Sequence, residues 1–182
     1  EPDLTIVDLR PMAAYNGWMN RNVYEAAATL TDAERKADRG AFFRSLHSTL
    51  NHILWADRVS LSRFNGKTYP VGGIGVDLHE DFVALSDARR AMDEEIAAWA
   101  AQVDAAQLSG TLTWYSGVAK REMSRPRWLC VMQMFNHQTH HRGQVTTLLK
   151  QAGVDPGATD LPWAPLVRDA QQRVILGEQF GL

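Results

Sequence analysis

The chain has 182 residues, of which 45% are hydrophobic and 22% charged, and its formal net charge is −2. This is the balance of one globular domain long enough to bury a real core. It excludes a general nucleic-acid or acidic-membrane binder, which needs a basic excess.

Cys130 is the only cysteine, so neither an internal disulfide nor a thiolate metal cluster is available. No apolar run approaches the roughly 20 residues of a membrane-spanning helix. The opening EPDLTIVDLR begins with acids and lacks the apolar stretch of a signal peptide. A reducing, cytoplasmic location is the expectation.

The first predicted helix covers 11–30, with Pro11 in its first turn and Met12, Tyr15, Met19, Val23 and Ala26 at three- and four-residue spacing. Thr31 and Glu34 form a capping box for a short helix. A longer helix is expected from about 41 to 64, its stripe made of Phe42, Leu46, Leu50, Ile53 and Leu54. NGKTYPVGGIGV (65–76) breaks the pattern and reads as a loop. No strand leads into it and no Lys-Ser/Thr pair follows, so it is not a phosphate-binding loop.

Helix resumes from about 80 to 107. GTLTWYSGVAKREM (110–123) changes period and reads as a small hairpin or extended loop turning at Ser116-Gly117. The last long helix is expected from about 126 to 152, ended by Gly153 and followed by Pro156. One further short helix is placed at about 163–177. The fold class is therefore all-α: a single domain over 1–182, a four-helix bundle with a short hairpin before the last long helix.

FNHQTHHRGQ (135–144) holds three of the six histidines. At about 100° per residue, His137 and His141 lie one turn apart on one face and can grip one metal ion. His140 also pairs with His137 by spacing. The row Cys130, Met134, His137, His141, Val145, Leu148 is apolar apart from its histidines. The row Gln133, Asn136, His140, Gln144, Thr147, Gln151 is polar. His137 and His141 are thus assigned to the interior and His140 to a wet side. Inward histidines need a metal or buried hydrogen bonds. A third ligand is open among His47, His52 and His79. The small residues around His52 leave a hollow beside it, whereas His47 is more densely surrounded.

YNGWMN, GAFFRSLHSTLNHILWADRVSL and FNHQTHHRGQVTTLL, in that order, resemble the segments of the DinB-like family. Its members are bacterial four-helix-bundle proteins described as candidate metal-dependent enzymes. The resemblance implies a metal site of His52, His137 and His141 holding Ni²⁺ or Zn²⁺. It also implies a homodimer. Three histidines leave a coordination position open for water or for a substrate thiol. The two chemistries to weigh are hydrolysis and transfer dependent on a low-molecular-weight thiol, with a non-catalytic metal- or ligand-binding stress-response protein as the alternative.

Gln138 stands where the glutamate of H-E-x-x-H would supply a base, which weakens the hydrolase reading. Asp57 is expected in a buried salt link to an arginine such as Arg142. Arg142 and Gln144 are expected to point away from the metal row, with bundle or dimer contact as their role. Gly143 is expected to permit close helix approach. Asn16, Trp18 and Asn20 are assigned to helix packing, and Cys130 to the core.

Overall fold

A computed structural model describes residues 8–168 and 174–176 of the chain. Its described elements are α1 (Arg10–Ala28), α2 (Asp32–Lys36), α3 (Leu46–Asn65), α4 (Phe82–Gln102), α5 (Ala105–Leu108), β1 (Thr111–Ser116), β2 (Arg121–Pro126), α6 (Arg127–Gln151), a 3₁₀ turn (Leu161–Trp163), β3 (Leu166–Arg168) and β4 (Val174–Leu176). The molecule is mostly helical, with a small antiparallel hairpin ahead of α6. Among the long helices, α3 packs on α6 and α1 on α4, and further contacts join α1 to α6 and α3 to α4. Val23, Ala27, Leu54, Leu61, Leu85, Ile96, Val145 and Leu149 fill the shared interior and are inaccessible to solvent. Among the described residues, no helix is long and apolar enough to cross a membrane.

Local chemistry sets the helix ends. Thr31 and Glu34 close the expected capping box of α2. Ser45 caps α3 by accepting from the Ser48 amide at 3.0 Å. Gly153 adopts φ +84°, and the next amide, Val154, returns to the Leu149 carbonyl at 2.9 Å. An αL residue there satisfies carbonyls the helix leaves open.

Several boundaries differ from expectation. α3 starts at Leu46, not 41, because residues 41–44 form a tight turn closed by the Arg44 amide on the Ala41 carbonyl. Phe42, expected in the apolar stripe, is 80% exposed at that turn. The expected helix 80–107 is two helices, since Val103 and Asp104 are extended and Asp104 caps α5 by a second capping box. The hairpin turns over 117–120, and its return strand runs on to Pro126 and straight into α6. Where a helix over 163–177 was expected, Leu166–Arg168 pairs antiparallel with Val174–Leu176. Both strands are rich in β-favouring aliphatics, which explains the outcome. Residues 169–173 and 177 of that expectation lie outside the described residues.

Candidate metal centre

His52 lies on α3, and His137 and His141 on α6, the helix that packs against it. The three rings meet across that contact. Their centroids are 5.0 Å (52–137), 4.6 Å (52–141) and 4.3 Å (137–141) apart. One ligand nitrogen from each lies within 4.8 Å of the other two. The Nε2 atoms of His52 and His137 are 3.1 Å apart.

Each ring is held. Phe43 stacks on His52 at 3.9 Å and 21°, and meets His141 edge-on at 5.6 Å. Trp55, one turn along α3, lies near-parallel to His52 at 5.9 Å. The turn before α3 delivers Phe43, and it requires Arg44 at φ +66°, a strained value for a side-chain-bearing residue. His141 Nδ1–H donates to Gln144 Oε1 at 2.7 Å, which leaves its Nε2 lone pair free. The Nδ1 atoms of His52 and His137 are buried without a hydrogen-bond partner.

Burial lowers the pKa of His52 to about 4, with the neighbouring His141 adding to the effect. Burial likewise lowers His137 to about 3, and His141, His52 and His140 push the same way. His141 is lowered by burial and by His140, partly offset by the bond to Gln144. All three rings are therefore neutral near pH 7, and a neutral imidazole is the form that ligates a metal.

A buried polar network sits directly behind the rings and touches all four long helices. Asp57 of α3 accepts from Arg89 Nη1 of α4 at 2.7 Å and from Gln138 Nε2 of α6 at 2.9 Å. Arg89 also pairs with Asp93 at 2.6 Å. Asp93 accepts from Asn16 at 3.0 Å and from Asn20 at 2.9 and 3.1 Å, both on α1. Arg142 of α6 donates to Asn16 Oδ1. Gln138 follows His137 and Arg142 follows His141, so the network pins the rotation of α6 at both histidines. Such supporting bonds orient the groups that act.

This arrangement corrects several readings. The partner of Asp57 is Arg89, and Arg142 turns to Asn16 and the Tyr15 ring. Arg142 is 3% exposed, so it does not point outward. The argument for a dimer contact through Arg142 goes with that. Gln144 does reach the candidate site, through His141. A Cβ built on Gly143 would meet nothing within 4 Å, so that glycine serves no close approach.

Other assignments hold. Asn16, Trp18 and Asn20 are buried packing residues, and His140 is exposed. His47 is buried and its Nε2–H donates to the His79 carbonyl at 2.8 Å; Asn51 grips the same backbone through bonds of 3.2 and 3.0 Å. That clamp fixes the crossover before α4 and accounts for the His47 ring; of His79 it uses only the backbone. One assignment fails: Cys130, expected in the core, is only partly buried. Phe43 and Gln144 are the site residues that sequence reasoning missed. For Gln144 the signal was its position three residues after His141, where helical side chains meet.

The donor set fits a divalent ion. Bonds of about 2.0–2.1 Å from a metal to two imidazoles put the nitrogens about 3 Å apart, which is the His52–His137 separation found here. Among the described residues no aspartate, glutamate or cysteine joins the cluster.

The DinB family model matches residues 6–173. The chain is 26% identical over 155 residues to Protein DinB of Bacillus subtilis (strain 168), covering 80% of this chain and 87% of that protein. It also resembles the crystal structure of a DinB-like protein from Bacillus cereus ATCC 10987, with a TM-score of 0.59 and 21% identity, over 78% of this chain and 90% of that one. The likeness in fold and the match along nearly the whole sequence agree: this chain belongs to the DinB family.

Proposed function

We propose that His52, His137 and His141 together bind one divalent metal ion, Ni²⁺ or Zn²⁺, and that the protein is a metal-dependent enzyme acting on a small molecule. The observation that carries this is the convergence of three neutral imidazoles from two helices, with no carboxylate in the cluster. A bound ion would supply Lewis acidity, lowering the pKa of a water or thiol at its open position.

The chain's own residues then divide the work. The three rings present the lone pairs, Gln144 sets the His141 tautomer, and Phe43 and Trp55 fix the His52 plane. The position after His137, where a hydrolase would keep its base, holds Gln138, locked onto Asp57. We therefore favour transfer dependent on a low-molecular-weight thiol over hydrolysis, since a thiol that ionises at the ion needs no protein base. The four long helices read as the family's bundle, and a homodimer remains the expected assembly. A strictly monomeric mass by light scattering would refute that assembly.

Metal content by mass spectrometry tests the core of the reading, wild type beside His137→Ala. Near one equivalent in wild type and loss in the variant is the expected result. No metal in either, after supplementation with both ions, refutes it. A metal-loaded protein inactive across panels of thiol acceptors and esters would favour the non-catalytic alternative.

A further inference from the structure

A pocket of about 530 Å³ opens between α3, α6 and the hairpin. That is the size of a small-molecule site. The hairpin makes one wall, because cross-strand partners share a face: Leu112 opposite Arg125 and Trp114 opposite Met123. Leu112 is buried and Trp114 half-buried, while Thr111, Thr113 and Tyr115 between them are exposed. Leu129 and Met132 of α6 add apolar surface that is 42% and 59% exposed. Isolated exposed apolar groups need no explanation, but several converging on one concavity do.

Two cations enter this apolar pocket, Arg63 and Arg125. The Arg63 guanidinium lies over the Trp114 ring at 5.0 Å, and Arg125 donates to the Ser124 carbonyl at 2.7 Å. Neither has a carboxylate partner among the described residues. Burial also holds Arg63 below its ordinary pKa, the mark of a cation short of solvent. The thiol of Cys130 in the same wall is pushed up by burial, so it is a surface and not a nucleophile.

The pocket runs toward the histidines. Gln133 lies one turn, about 6 Å, from His137 along α6, and Asn136 is its neighbour. Gln133 and Asn136 of the polar row therefore form the pocket's edge on the side of the histidines. On α3, Arg63 lies within about 20° of the His52 face and about 16 Å along the axis.

We propose that this pocket binds an organic anion with an apolar, ring-sized body, its charge held by Arg63 and Arg125 and its body packed on Trp114 and Leu112. As the substrate pocket of a metal enzyme the inference rests on the proposed function; as a binding site it stands without it.

Calorimetric titration with an isosteric pair, naphthalene-2-sulfonate and the neutral naphthalene-2-sulfonamide, tests it. The chelator-stripped wild type, His137→Ala, Arg125→Gln and Arg63→Gln/Arg125→Gln would be compared, each first checked for an unchanged thermal transition. The sulfonate is expected to bind wild type at least tenfold more tightly than the sulfonamide. The preference should fall in Arg125→Gln, whose side chain is exposed and dispensable to the fold, and vanish in the double variant. Sulfonamide binding should stay constant. His137→Ala should bind the sulfonate as wild type does, so a failed metal reading leaves this result untouched. Equal affinity for the two probes, no binding of either, or a preference that survives the double substitution overturns the proposal. So does loss of sulfonate binding in His137→Ala, which would place the anion at the histidines.

Discussion

Replacing Arg89 with methionine removes the cation that pairs with both Asp57 and Asp93. The Arg89 side chain is 3% exposed and reaches Asp57 at 2.7 Å and Asp93 at 2.6 Å. Burial works against its charge, but Asp93 and Asp57 outweigh that and raise its pKa. Methionine keeps the apolar stem and leaves both carboxylates with only amide donors, Gln138 on Asp57 and Asn16 and Asn20 on Asp93. Removing one partner of a buried pair costs about 3–5 kcal/mol, and that is the least expected here because Arg89 serves two acids. With a urea slope of about 2 kcal/mol/M, the unfolding midpoint should fall by at least about 1.5–2.5 M. Asp57→Asn is the comparison, since it leaves Arg89 paired with Asp93; about 1–3 kcal/mol is expected there.

The effect of pH has a definite sign. Burial already pushes the Asp93 carboxyl up, and Arg89 opposes it. Without Arg89 the folded value rises further above the unfolded one. Such a group destabilises fully above its folded pKa, and the penalty lifts as pH falls toward the unfolded value. The defect of Arg89→Met relative to wild type should therefore be larger at pH 8 than at pH 5. The histidines titrate alike in both metal-free proteins and cancel in the difference. Urea midpoints at the two pH values decide the matter. A midpoint within about 0.5 M of wild type at pH 8, or a defect that grows toward pH 5, would refute the reasoning.

Gln144→Ala should weaken metal binding roughly 10- to 100-fold by releasing the His141 tautomer, with little change in fold stability; competition with a chelator measures it. Metal-free protein should lose stability as pH falls from 6.5 toward 4, because the unfolded rings take up protons that the folded ones refuse. For His52, lowered from 6.5 to about 4, the loss at pH 5 is about 2 kcal/mol, and His52→Asn should flatten the curve by that amount in urea melts. Phe42→Ser, at the exposed ring of the turn, should change stability by less than about 0.5 kcal/mol in the same assay.

Periodicity found what depends on one helix. It chose His141 over His140, and it located α1, the Thr31 cap and the Gly153 stop. It erred where a polar residue is buried by a partner far along the chain. A wheel reading sends Arg142 outward because guanidinia prefer water. Here it is satisfied inside, by Asn16 at 126 residues' separation. Nothing local announces such a partner, and for the same reason the buried arginine link expected of Asp57 is made by Arg89 and not by Arg142. Phe42 and Phe43 are adjacent and chemically alike. Only the left-handed Arg44 decides that the second covers His52 and the first faces solvent. The choice of His52 over His47 was open to sequence physics until the resemblance was added, and the structure shows His47 engaged with the His79 backbone.

The distance between His52 and His137 along the chain has a consequence for how the cluster comes into being. Eighty-five residues separate them. At roughly 5–20 residues per second, a ribosome needs about 4–17 s to pass from one to the other. During that interval the nascent chain carries His47, His52 and His79 but neither ring of the last helix. Closing the cluster requires α6 to be made and docked against α3, one of the latest and longest-range events in folding. Any ion the three rings hold together is therefore taken up only after α6 has docked, and the cell's free metal selects among folded geometries, not among loose histidines on an emerging chain.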